Sequence, residues 1–274
     1  MDLRGLEQGV PKRTIREQHE DLATLVVKYP DNIIPFIHID PRSASRFGGE
    51  DPIDFIREFH QTHGFRGIKL YPPLGYAPDD PAVEPIYAYA DAHGLPVMSH
   101  CSPGGIRSRI FDAKDVRTHT APHRYRKVLQ DFPNMRLCLA HFGGQGEWAS
   151  YLETPWLEDS TDLERMDWLS QIATMIRSGD YPNLYTDISY TIFYSRRFIP
   201  LLKVLLQDER LRDKILFGSD YYMVLQERMT ERELAIHLRA HLGEDFFWQV
   251  AEDNPKNYLG ITTPTTTTDA DASP

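Results

Sequence analysis

The sequence predicts an α/β fold in which parallel strands alternate with helices. Three observations carry this expectation. Six short apolar runs recur along the chain, helix-length segments separate them, and those segments bear start and stop signals. Two successive start signals, and the stops that follow them, lie roughly thirty residues apart, the length of one βα unit in a barrel or a doubly wound sheet.

The elements follow in order. Met1-Asp2-Leu3 reads as the closing residues of a strand, with Gly5 and Gly9-Val10-Pro11 as loop punctuation. A helix pattern runs from about Pro11 to Tyr29, and the first full strand is Ile33 to Ile39. Asp51-Pro52 and Asp80-Pro81 each set a capping carboxylate before a proline at the first helical position. The helices they open end at His63-Gly64 and His93-Gly94, with glycine where a left-handed cap is wanted. Further strands are read at Gly67 to Tyr71, Leu95 to Ser99, Met135 to Ala140, Leu184 to Ile188 and Lys214 to Gly218. Thr230-Glu231-Arg232-Glu233 forms a capping box for a final helix through about Leu242. Counting the remnant at Met1, the chain offers six and a half strands in one domain over residues 1–261. Thr262 to Pro274 have no large apolar residue and read as a disordered tail.

Composition removes several function classes. The 274 residues carry a net charge of −10, which argues against a nucleic-acid partner. No apolar run approaches the roughly 18 residues of a membrane span, and the start is no signal peptide. Cys101 and Cys138 are too few for a disulfide framework and point to a reducing compartment. The expectation is a soluble cytoplasmic protein acting on a small molecule.

In a parallel barrel the chemistry sits where strands end. Those positions here hold Lys69 and Tyr71, His100, His141, Asp187 and Asp220. A lone histidine at a strand end more often serves the fold, but His100, His141 and Asp220 at the ends of three strands form a ligand set for a divalent metal. Such a metal would acidify bound water to about neutral pH, with Asp220 placed to take its proton. Lys69 is read as a carbamylated ligand, a substrate cation or a snorkelling barrel residue. Tyr71, Tyr76, Tyr190 and Tyr221 are pocket or loop-packing residues, and His38 is read as structural. Cys101 should point away from the His100 side. His119 and His123, four residues apart with Pro122 between them, are read as surface or pocket-rim residues.

Several strings resemble one family. Gly67-Ile68-Lys69-Leu70-Tyr71-Pro72, Met98-Ser99-His100-Cys101, Leu139-Ala140-His141-Phe142-Gly143-Gly144, Tyr185-Thr186-Asp187-Ile188-Ser189 and Ile215-Leu216-Phe217-Gly218-Ser219-Asp220 are similar to the amidohydrolase-related family. This is the amidohydrolase-superfamily branch that includes aminocarboxymuconate-semialdehyde decarboxylase and related decarboxylases and lactonases. Asn254-Pro255-Lys256-Asn257-Tyr258-Leu259-Gly260 is similar to its closing motif. The resemblance implies a (β/α)8 TIM-type barrel with a divalent metal, usually zinc, with manganese as the other choice. It makes His100 a metal ligand, His141 a ligand or a proton shuttle depending on the family member, and Asp220 a ligand and often the general base. The family opens with a His-x-His pair, whereas the earliest histidine here is His19. The resemblance therefore leads to an N-terminally incomplete barrel, whose open edges would suit a homo-oligomer.

The first functional expectation is a metal-dependent hydrolase of a small-molecule amide, lactone or related carbonyl bond. The second is non-oxidative decarboxylation of an aromatic or unsaturated acid, with Lys69, Arg107 and Arg109 as cations for the carboxylate. The third is a non-catalytic barrel remnant that has lost two ligands.

Overall fold

The computed structural model describes residues 12–44, 49–107, 111–153, 162–194, 197–226 and 230–261. Six strands form one sheet: β1 (Phe36–His38), β2 (Gly67–Leu70), β3 (Val97–His100), β4 (Leu137–Ala140), β5 (Leu184–Asp187) and β6 (Ile215–Leu216). They lie in chain order and every neighbouring pair is parallel. Five fall inside the runs read from the sequence, and β3 runs one residue past its run, to His100. Among the described residues no ladder joins β1 to β6. The strand remnant at Met1, the tail after Ile261 and Arg109 lie outside the described residues.

The register divides the sheet by chemistry. Ile37, Ile68, Val97, Leu137 and Leu184 form one row across five strands, and each is fully excluded from solvent. That row belongs to the main apolar core, together with Phe55, Ile56 and Phe59 from the helix Pro52–His63. Side chains alternate across a strand, so the residues one step along, His38, Lys69, Met98, Cys138 and Tyr185, form a row on the other face. Cys138, Tyr185 and Leu216 close that face against Tyr258 of the last helix. Its upper end carries His100 and Asp187.

Local signals explain the helices. The first helix, Ile15–Lys28, starts at Thr14, whose hydroxyl and Glu17 form a reciprocal capping box. The Asp51 carboxylate accepts the backbone N–H groups of Ile53 and Asp54. Thr230 and Glu233 form the expected box at the head of Glu231–Leu242. Gly64 and Gly94 end their helices in the left-handed region.

Asp80-Pro81 departs from expectation. The helix begins at Glu84, and Asp80 instead accepts the backbone N–H of Ala82 in a turn before it. Pro85 explains the delay. A helix begun at Pro81 would place Pro85 deep enough to need the N–H it lacks, whereas at the second position none is required. No helix among the described residues is long and apolar enough to cross a membrane.

Candidate functional site

The strand ends converge on two histidines. His100 closes β3, and His141 follows β4 directly, with His100 registered against Ala140. His141 and Phe142 adopt φ of 75° and 44°, turning the chain sharply enough to bring the His141 ring over the strand ends. His141 Nε2 stands 3.0 Å from His100 Nδ1. Tyr190 after β5 and Asp220 after β6 also have positive φ, at 57° and 59°. Non-glycine residues in this region each cost on the order of 1–3 kcal/mol. All four stand in the loops that follow β4, β5 and β6.

Asp187 holds the strained turn. Its Oδ1 accepts the backbone N–H of His141 at 3.0 Å and that of Ser189 at 2.9 Å, and Thr191 Oγ1 donates to the His141 carbonyl at 2.6 Å. The Ser189 hydroxyl donates to Asp187 and lies 2.9 Å from His141 Nδ1. At the other end, His100 Nε2 faces the Gly104 carbonyl at 2.9 Å. A carbonyl can only accept, so the proton of His100 sits on Nε2 and its Nδ1 accepts from His141. The result is a relay, Asp187–Ser189–His141–His100, in which His141 is asked to donate from both nitrogens. Burial pushes the His141 pKa down and the Asp187 carboxylate opposes this. Burial holds His100 well below the usual imidazole value, and the charges of His141 and Lys69 add to the effect.

The remaining predicted residues are distributed unevenly. Lys69 is half-buried between His38 and Met98; burial lowers its pKa, opposed first by Asp187 and then by Cys138 and Asp220. The buried Tyr71 sets its ring 4.8 Å from that of His100, and burial pushes its hydroxyl up to about 12. Asp220 is exposed at the rim, and its charge reaches His141, Lys69 and Tyr71. The Tyr190 backbone N–H bonds the Ser219 carbonyl at 3.4 Å, linking the loops after β5 and β6. Arg107 is exposed, and its charge acts on Asp112.

Cys101 points away from the pair, its Sγ on the Thr120 carbonyl at 3.4 Å. The backbone N–H of His38 donates to His19 Nε2, and its side chain is buried. His119 packs edge-on to Phe111, and His123 lines a surface cavity with Asp79, Arg124 and Glu164. Ser189 was missed by sequence reasoning. Its signal is the Asp-x-Ser spacing at a strand end, which lets an aspartate accept an N–H two residues on. Among the described residues, no group of three or more His, Cys, Asp or Glu side chains is placed to hold a metal ion, so the structure pairs His100 with His141 but does not bring Asp220 to them as a third ligand.

A parallel α/β sheet in chain order with its polar groups at the strand ends is the arrangement of a TIM-type barrel. The chain belongs to the amidohydrolase family, whose profile matches residues 8–261. No curated protein matches it. Among solved structures, a TIM-barrel protein from Bordetella bronchiseptica is similar at 20% identity, with 88% of this chain and 72% of that one covered and a TM-score of 0.58. The 4-oxalomesaconate hydratase of Rhodopseudomonas palustris is similar at 19% identity, covering 88% of this chain and 70% of that one, with a TM-score of 0.60. The dihydroxybenzoic acid decarboxylase of Polaromonas sp. JS666, solved with manganese and 2-nitroresorcinol, is 18% identical over 90% of this chain and 75% of that one, with a TM-score of 0.57. At these identities the likeness speaks for the fold.

Proposed function

We propose that the chain is a metal-dependent hydrolase of a small-molecule amide, lactone or related carbonyl bond. The observation that carries this reading is the facing pair His100 Nδ1 and His141 Nε2, 3.0 Å apart. Two nitrogens about 2.1 Å from a tetrahedral ion stand roughly 3.4 Å apart, so the pair needs little opening to become two ligands. Asp220, whose charge is already felt at His141, is the third. The donor set suits zinc or manganese, and manganese is present in the decarboxylase structure from Polaromonas. When bound, such an ion supplies carbonyl polarisation and an acidified water.

The chain's own residues do the rest. Asp220 accepts the proton of the attacking water and returns it to the leaving group. Ser189 and Asp187 hold the His141 ring in place as a ligand. Lys69 and Tyr71 line the substrate side, with Tyr190 and Arg107 on the loops around it. The two free, buried cysteines accord with a cytoplasmic setting.

Lys69, half-buried on the sheet face that carries His100 and Asp187, favours a second reading, since a cation in that place would hold a substrate carboxylate for non-oxidative decarboxylation. One panel separates the readings. The purified chain, loaded with zinc or manganese, is assayed for lactone and amide hydrolysis and for carbon dioxide release from aromatic and unsaturated acids. Hydrolysis alone upholds the hydrolase, and carbon dioxide release alone transfers the assignment to the decarboxylase. Absence of bound metal, of any gain in Tm with either ion and of turnover would leave a non-catalytic barrel.

A further inference from the structure

A second set of contacts, starting from Asp40 and Arg42, approaches the histidine pair from the β1 side, and the proposed chemistry assigns no role to either residue. β1 runs out into Asp40, which is buried. The Asp40 carboxylate takes Arg42 Nε and a terminal nitrogen, both at 3.0 Å, and the Arg42 backbone N–H at 2.9 Å. The guanidinium then reaches the loop after β2. It donates to the Gly75 carbonyl at 2.6 Å and the Leu74 carbonyl at 2.9 Å, and lies 5.3 Å from the centre of the Tyr76 ring.

From that loop the contact passes inward. The buried Tyr76 hydroxyl accepts the backbone N–H of Tyr71 at 2.7 Å. Tyr71 presses its ring against His100 and donates its hydroxyl to the Ile106 carbonyl at 2.9 Å. The close approach needs Gly105 beneath it, where an added Cβ would meet Tyr71 Oη at 2.7 Å and His100 Nε2 at 3.0 Å.

We infer that Arg42 is a positioning residue: by clamping the Leu74–Tyr76 turn to Asp40 it fixes Tyr71, and through Tyr71 it fixes the His100 ring. The planar fork is what the task requires. One guanidinium serves a carboxylate and two carbonyls at once, which a lysine ammonium on a flexible stem cannot do in the same geometry. The inference goes beyond the hydrolase reading and stands with or without metal, because it concerns only the orientation of a ring.

The test reads that ring directly in the metal-free full chain, with chelator present. The ring N–H signals of ¹⁵N-labelled protein are assigned to His100 by their loss in His100→Gln. Arg42→Ala, Arg42→Lys and Tyr76→Phe are compared with Arg124→Ala, which removes an ion pair of 2.7 Å with Asp79 and serves as a control for general loosening. The Nε2–H signal of His100, protected by Gly104, is expected in wild type and in Arg124→Ala. It is expected to vanish, or to exchange at least tenfold faster, in the other three. An unchanged His100 signal in folded Arg42→Ala would overturn the inference. If that variant does not fold, an unchanged signal in Tyr76→Phe does the same.

Discussion

Asp187 Oδ1 accepts the backbone N–H of His141 at 3.0 Å, and this one bond ties the end of β5 to the strained turn after β4. The same oxygen accepts from Ser189 N, so a single buried carboxylate satisfies two backbone donors and the serine hydroxyl. Replacing it by alanine strands those donors away from water. Asp187→Ala is expected to cost about 2–4 kcal/mol in urea unfolding, since an unmet buried donor costs on the order of 1–3 kcal/mol. Asp187→Asn keeps a carbonyl oxygen and should lose less than half as much. Equal losses would show that the acceptor geometry is not what holds the turn.

Metal retention tests the proposed ligands. His100→Ala and Asp220→Ala are each expected to lose zinc or manganese on dialysis, lowering affinity at least tenfold in calorimetry. Wild-type metal content in either variant would show that the ion sits elsewhere.

His19 should make stability depend on pH. Its ring is enclosed by Phe55, Phe59 and Phe65, and burial lowers its pKa to about 4. Its Nε2 accepts the backbone N–H of His38, which only the neutral ring can do. The unfolded chain takes up this proton near the ordinary value of about 6.5, before the folded chain does. The contribution is therefore complete above about 6.5 and is lost as pH falls towards 4, a change of roughly 3 kcal/mol. His19→Gln should flatten the slope of unfolding free energy over that window relative to wild type. Parallel slopes would remove His19 from the account.

Gly105 separates the site from the fold. At φ of 112° and in contact with Tyr71 and His100, it leaves no room for a side chain. Gly105→Ala is expected to weaken manganese binding at least fivefold. Its loop is exposed, so the accompanying change in Tm should be only a few degrees. Unaltered manganese affinity would mean that the loop moves aside freely.

Much of the architecture was legible because its signals are local. Each strand is a short apolar run, and Asp51, Thr14 and Thr230 cap helices through N–H groups no more than three residues away. Asp80 carried the same signal and did not start its helix, because Pro85 imposed a stronger constraint a few residues on. The polar residues at strand ends could also be picked out, since they interrupt otherwise apolar runs at successive strand ends.

Partnership across the sheet was not legible. Arg42 meets Leu74 and Gly75 across more than thirty residues, and His141 meets Asp187 across forty-six. Neither distance leaves a trace in local pattern. By itself the sequence determined where the six described strands run, to within a residue or so, and which side chains stand at their ends, because period and capping act within a few bonds. Only the tertiary structure decided that His100 and His141 face each other, that Asp187 and Ser189 stand behind them, and that Asp220 remains at the rim. Those outcomes depend on strand register and on positive backbone angles, and both are set by packing between segments far apart in the chain.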